Sequence, residues 1–226
     1  MLPKEELSMK LVREYTNIPV PKPVWSKYRD GYGEILMTFI PGIPLDTCWD
    51  RLNDSTKERL CRKIWEMVEQ LRQIPKPEHL KESFLCYTDG TCSKDVLIAE
   101  LEDPPRPLTD NEAVRERICQ RYYHFNGRRY TIDEMYNMLP HSDTSIFTHA
   151  DLATRNIMVD ENTYQITGVI DWERAGWYPD YWEYANIWKP SEDETFDWQR
   201  WMDCTRPQKW REWDIRGIEA ARRVLF

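Results

Sequence analysis

The chain has 226 residues, 41% of them hydrophobic and 31% charged, which is enough for one large domain or two small lobes sharing a cleft and argues against disorder. Its formal net charge of −8 removes the cationic attraction that holds proteins on phosphate backbones or anionic lipid, so neither nucleic acid nor a membrane surface is the expected partner. Eleven Trp and twelve Tyr against six Phe suggest a mixed core with amphipathic edges, since both ring types carry a polar tip.

In chain order, Leu7, Leu11 and Val12 recur at helical spacing and predict a short helix over residues 5–15. Ile18-Pro19-Val20-Pro21-Lys22-Pro23 stops it, because proline fixes φ and keeps the preceding residue extended. Two strands are expected over 24–28 and 34–40, around the turn Arg29-Asp30-Gly31-Tyr32-Gly33, and Pro41-Gly42 closes that small sheet. Ser55 and Glu58 have the form of a capping box. Leu60, Ile64, Met67, Val68 and Leu71 follow on one helical face that ends before Pro75.

Past Pro104, Pro105 and Pro107, helices are expected over 112–123 and 132–139. Asn126-Gly127 between them is a dipeptide that could instead close a hairpin. Short strands over 157–159 and 164–170 flank Asp160-Glu161-Asn162-Thr163 as a hairpin, and the Trp-rich tail reads as helix and loop. The expected fold class is α+β: a small sheet, a helical body, and a hairpin embedded in that body. No apolar run approaches the ~20 residues of a bilayer span, and Met-Leu-Pro-Lys-Glu-Glu has no secretion-signal segment. The six cysteines lack C-x-x-C or zinc spacing. The expectation is a cytoplasmic chain with reduced thiols.

The chemistry concentrates in Phe147-Thr148-His149-Ala150-Asp151-Leu152-Ala153-Thr154-Arg155-Asn156-Ile157-Met158-Val159 and its sequel Val169-Ile170-Asp171-Trp172-Glu173. Asn156 stands just before the first strand of the hairpin and Asp171 ends the second, so both sit at the same open end, where one cation could reach both side-chain oxygens. So few protein oxygens suit Mg²⁺, which keeps waters and takes its remaining ligands from phosphates. Asp151 is then free to accept a proton from an attacking hydroxyl. Singly, each residue has a plainer role as helix cap, turn residue or loop solvator. His149-x-Asp151 as a pair of transition-metal ligands lacks a second cluster. The joint spacing on a loop–strand–turn–strand unit favours phosphoryl transfer.

This stretch resembles the H-x-D-x-x-x-x-N loop of the protein-kinase-like superfamily. The form H-A-D-L-x-x-x-N-I-M-V with I-D-W-E is similar to the aminoglycoside phosphotransferase and choline kinase branch. Ile18-Pro-Val-Pro, Met37-Thr-Phe-Ile-Pro-Gly42 and Ala175-Gly-Trp-Tyr-Pro-Asp-Tyr-Trp-Glu-Tyr184 also resemble that family, so the likeness runs from about residue 5 to 200. It implies a protein-kinase-like fold, with residues 1–41 as a partial N-terminal lobe and hinge and 42–226 as the C-terminal catalytic lobe. It further implies ATP and Mg²⁺ as cofactors and a small-molecule alcohol as acceptor. Asp151 would be the catalytic base, Asn156 and Asp171 the magnesium ligands, and the backbone of Thr38, Phe39 and Ile40 the adenine-facing hinge. His149 is expected to brace the loop, and Arg155 to lie in solvent. Glu173, Asp180 and Glu183 are candidates to meet a cationic substrate, or else loop carboxylates and caps. Glu5 falls near the family's first-lobe glutamate.

Only four residues precede Glu5, so the Gly-rich hairpin and the strand bearing the ATP-binding Lys have no place in this chain, and Lys4 is too close to the helix to serve. Nucleotide grip should fall without them. A clipped gene model, a short form of weakened activity, and a non-catalytic binding or scaffold protein are all consistent with that departure. A protein kinase is disfavoured, because no segment ending in Ala-Pro-Glu follows Asp171.

Overall fold

A computed structural model describes residues 4–29, 32–189, 196–210 and 213–225; Asp30 and Gly31 of the expected first turn lie outside them. Helix α1 (Lys4–Tyr15) buries Met9 and Val12. The proline segment after it runs extended into an antiparallel pair, β1 (Pro23–Arg29) and β2 (Tyr32–Met37). The second strand stops at Met37, short of the expected residue 40. Thr38 turns back on Lys22 instead: its N–H donates to the Lys22 carbonyl at 2.9 Å, and its Oγ1 accepts the Lys22 N–H at 2.8 Å. Residues 38–40 are thus a link outside the ladder. At its end Gly42 holds φ at +116°, where a Cβ would fall 2.3 Å from the Val159 carbonyl oxygen, an approach that glycine allows.

Helix α2 (Asp54–Leu71) turns Leu60, Ile64, Met67, Val68 and Leu71 inward as its periodicity requires. Its cap is Asn53 rather than the expected Ser55–Glu58 box. Asn53 Oδ1 accepts the Thr56 N–H at 2.9 Å, and the Ser55 hydroxyl donates to the same oxygen at 2.8 Å. Glu58 turns to Arg62. A reciprocal box does form at α4 (Ile132–Met138), between Thr131 and Glu134. Helix α3 (Asn111–His124) ends with Asn126 at φ 65°, so Asn126-Gly127 terminates a helix and closes no hairpin.

Two three-stranded sheets frame the centre of the molecule. One has β3 (Ile43–Pro44), β6 (Ile157–Val159) and β7 (Ile166–Val169), with β6 in the middle. The other has β4 (Cys86–Tyr87), β8 (Gly176–Pro179) and β5 (Ser145–Thr148), with β8 in the middle. Helices α5 (Trp182–Ile187), α6 (Phe196–Thr205) and α7 (Arg216–Leu225) complete the body. Trp172, Trp177, Trp182 and Trp198 are fully buried, with Trp49 and Trp198 edge to face at 5.2 Å. These tryptophans therefore build the core itself, not its amphipathic edges. Their ring area outweighs the indole N–H, which in Trp177, Trp182 and Trp198 finds no hydrogen-bond partner among the described residues. Among those residues no helix is long and apolar enough to cross a membrane.

Candidate active site

The loop of residues 149–156 carries the chain from β5 in one sheet to β6 in the other. Ala150 takes φ 65° and Asp171 takes φ 64°, a left-handed backbone that non-glycine residues adopt only where their surroundings hold it. A short 3₁₀ turn, Thr154–Asn156, leads into β6, and the Ile170 N–H donates to the Asn156 carbonyl at 3.0 Å. That bond places Asn156 beside the chain leaving β7, next to Asp171, at the open end the spacing had indicated. The Asn156 Nδ2 donates to the Asp151 carbonyl at 2.8 Å. With the amide nitrogen committed inward, Oδ1 remains as the donor for a cation.

Asp151 is buried. Its Oδ1 lies 2.9 Å from Arg155 Nη2 and its Oδ2 lies 4.0 Å from Arg174 Nε. Arg155 therefore does not simply lie in solvent: the tight turn brings a side chain four residues on back over the carboxylate. Asp171 is half-buried, and its carboxyl is pushed above the usual range first by burial and then by the charge of Asp151. The two carboxylates are electrostatic neighbours, and a cation between them would relieve that repulsion.

The loop is braced from below. His149 has no exposure. Its Nδ1 accepts the Asp151 N–H at 3.2 Å, and its Nε2 faces the Ile170 carbonyl at 3.1 Å. A carbonyl only accepts, so the proton sits on Nε2. Burial holds this imidazole down to about 4, keeping it neutral. Both ring nitrogens are occupied, which agrees with the expected bracing role and leaves none for a metal. Glu183 Oε2 accepts the backbone N–H groups of His149 at 2.7 Å and Ala150 at 3.5 Å. Burial pushes its carboxyl up to about 7. Asn186 Nδ2 donates to the Ala150 carbonyl at 2.8 Å, and the buried Arg222 donates to both Asn186 Oδ1 and the Ala185 carbonyl.

Glu183 is thus a buried scaffold for the loop, neither a substrate contact nor a solvated carboxylate. Asn186 and Arg222 escaped the sequence reading altogether. The available signal was an acid and an amide inside a helical segment otherwise rich in Trp, Tyr, Ala and Ile. Of the other acidic candidates, Asp180 faces Arg72 at 3.7 Å and Glu173 is exposed beside Arg174 at 4.0 Å. The carboxyl of Glu5, on α1, is pushed up by burial and then by Asp171 and Glu173.

Thr38 and Phe39 are exposed. Ile40 lies against Gly168 of β7, where a Cβ would fall 2.6 Å from Ile40 Cγ2, so the link borders the strand that delivers Asp171. The Thr38 N–H is spent on Lys22. Among the described residues Phe39 and Ile40 form no backbone–backbone hydrogen bond.

Among the described residues no group of three or more His, Cys, Asp or Glu side chains is arranged to hold a metal ion, which does not favour a transition-metal site. An Asn oxygen with one half-buried carboxylate is a hard, all-oxygen pair. It fits a cation that takes most of its shell from water and phosphate.

A family model described as the phosphotransferase enzyme family matches residues 6–222. In structure the chain is similar to aminoglycoside 2'-phosphotransferase-IIIa in its GDP complex, with TM-score 0.62, 20% identity, and coverage of 99% of this chain and 71% of that one. It is also similar to aminoglycoside-3'-phosphotransferase of type VIII, with TM-score 0.59, 16% identity and coverage of 98% and 78%. The gentamicin–APH(2")-IIa complex gives TM-score 0.58, 14% identity and coverage of 97% and 69%. At these identities the likeness shows a shared fold, the protein-kinase-like one. No curated protein matches the chain in sequence.

Proposed function

Because the chain belongs to the phosphotransferase enzyme family, we propose that it transfers the γ-phosphate of ATP to a hydroxyl of a small molecule, with Asp151 as the base. One observation carries the proposal. The bond from the Ile170 N–H to the Asn156 carbonyl, and that from Asn156 Nδ2 to the Asp151 carbonyl, tie Asp151, Asn156 and Asp171 into a single unit. Residues 1–41 would act as the smaller lobe and hinge, and 42–226 as the catalytic lobe.

In this reading Asp151 orients the acceptor hydroxyl and takes its proton as the oxygen attacks phosphorus. Arg155 and Arg174 flank its carboxylate and hold its direction. His149 and Glu183 fix the backbone on either side of Ala150, so the base is held in position before substrate arrives. Asn156 Oδ1 and Asp171 would hold Mg²⁺, which when bound neutralises phosphate charge. The free peptide groups of Phe39 and Ile40 would meet the adenine edge, with Thr38 fixing the link through Lys22.

The test is magnesium-dependent ATP turnover by the purified chain, alone and with candidate alcohols. Asp151→Ala and Asp171→Ala should each lower the rate by roughly 10²–10⁴ while thermal melting stays near that of the parent. Turnover unchanged in either variant would contradict the mechanism. Absence of any thermal shift at millimolar Mg-ATP would favour a non-catalytic binding protein, because a nucleotide at 100 times its Kd stabilises by about 2.7 kcal/mol.

A further inference from the structure

A cavity of about 160 Å³ is lined by Ala150 and Arg174 from the candidate site and by Lys4, Tyr87, Lys94 and Asp95, among others. Arg174 Nε is 4.0 Å from Asp151 Oδ2, so the cavity adjoins the proposed base. Its volume equals about five waters at ~30 Å³ each, and it falls below the ~300 Å³ at which sites for drug-sized ligands begin.

The charges around it are unevenly matched. Glu173 is set against Arg174 at 4.0 Å. Asp95 Oδ1 accepts the Leu97 N–H at 2.9 Å, and its charge acts on the buried Arg222 and Arg121. Both carboxylates of the cavity thus have cationic neighbours. Lys4 has its ammonium 3.6 Å from the centre of the Tyr87 ring. Among the described residues no carboxylate stands within ion-pair distance of either Lys4 or Lys94. Nearby, burial pushes the Lys189 ammonium down; Arg174 and Arg222 add to that, and Asp95 and Asp151 oppose it. An anionic group entering here would meet two ammoniums that form no ion pair among the described residues, although the charge of Lys4 also acts on Glu5.

Resting on the reading of Asp151 as the base, we propose that the acceptor is a small alcohol bearing its own carboxylate or phosphate, whose anionic oxygens lie between Lys4 and Lys94 while its hydroxyl reaches Asp151. In the transfer, the hydroxyl proton passes to the Asp151 carboxylate and the alcohol oxygen bonds to the γ-phosphorus. The bond from that phosphorus to the β–γ bridging oxygen breaks, and ADP leaves with the electron pair. Of the three acidic residues suited to a cationic substrate, Glu183 is buried under the loop and Asp180 faces Arg72, which leaves only Glu173, set against Arg174, at the cavity.

The experiment is calorimetric binding of four probes to the full chain in Mg-ADP: glycerate, glycerol 3-phosphate, glycerol and kanamycin. At least one anionic probe should bind tenfold or more tightly than glycerol, weaken as salt rises, and remain undisplaced by kanamycin. Comparison of the two anions separates carboxylate from phosphate recognition. The double variant Lys4→Gln with Lys94→Gln should weaken the anion tenfold or more without a change in thermal melting. Anion binding no tighter than that of glycerol or kanamycin, or undiminished in the double variant, would overturn the assignment. A parallel transfer assay with radiolabelled ATP keeps the two readings apart. Transfer confined to glycerol or kanamycin defeats the charge assignment and leaves phosphotransfer standing. Anion binding without transfer to any probe counts against phosphotransfer alone.

Discussion

The loop of residues 149–156 and the hairpin-and-link of residues 23–40 flank the same candidate site but are built on opposite terms. In the loop, His149, Asp151 and Asn156 are buried, and their polar atoms are met by Glu183, Asn186, Ile170 and Arg155. In the hairpin and link, Val24 is 61% exposed, Leu36 58% and Phe39 84%. The first region has its geometry fixed by hydrogen bonds made in a low-dielectric interior, where each counts for more and a missing partner costs more. The second leaves Val24, Leu36 and Phe39 in water and touches the core only through partly buried side chains such as Ile35 and Met37. The lesson is that the loop carrying the proposed base is preorganised by the fold, while the surface proposed to meet the adenine is not.

The sharpest way to break this comparison is at its reactive atom. Asp151→Asn should lower acceptor-dependent ATP turnover by roughly 10²–10⁴ with little change in melting temperature. A loss that tracked unfolding would remove the distinction between chemistry and scaffold.

Next in size is the brace. Arg222→Met would leave Asn186 Oδ1 and the Ala185 carbonyl without their donor in the interior, at about 1–3 kcal/mol for each orphaned group. Chemical denaturation should record it. Phe39→Ser, by contrast, should stay within about 0.5 kcal/mol of the parent.

Titration sharpens the comparison further, because the brace contains two groups displaced in opposite senses. Burial raises Glu183 from 4.5 to about 7, so between those values the folded chain holds a proton the unfolded chain has released, and stability falls as pH rises. Burial lowers His149 from 6.5 to about 4, so over that window the unfolded chain holds the extra proton and stability rises with pH. The two slopes oppose each other between pH 4.5 and 6.5. Glu183→Gln should therefore uncover a stability gain of about 3 kcal/mol from pH 4 to 6.5 that the parent masks. An unchanged profile in denaturation at stepped pH would show that Glu183 keeps its ordinary carboxyl behaviour and that the interior is wetter than described.

A smaller loss than that of the brace is expected away from both regions. Asn53→Ala removes the cap of α2 and should cost about 1 kcal/mol, and Ser55→Ala should cost less. The reverse order would restore the capping box that the sequence suggested.

What the sequence disclosed, and what it withheld, divides by range along the chain. Asp151, Asn156 and Asp171 were legible because a loop and a hairpin of fixed length bring them together, and the buried face of α2 because its period is local. Glu183, Asn186 and Arg222 were not, since their partners lie more than thirty residues away and no spacing rule connects them. Strands β4 and β8 run only two and four residues, too short for alternation to register. The end of β2 and the cap of α2 were misread for a related reason. At each, a neighbouring polar side chain, Thr38 or Asn53, competed successfully for the backbone groups that the pattern had assigned elsewhere.

The central claim, that Asn156 and Asp171 share one cation on which a nucleotide is held, is open to direct measurement with Mn²⁺ as a spectroscopic stand-in for magnesium. Electron paramagnetic resonance titration of the chain with Mn²⁺ and ADP should reveal a bound ion in the parent, with affinity falling tenfold or more in Asp171→Asn and in Asn156→Ala. Mn²⁺ held equally well by the parent and both variants would contradict the account.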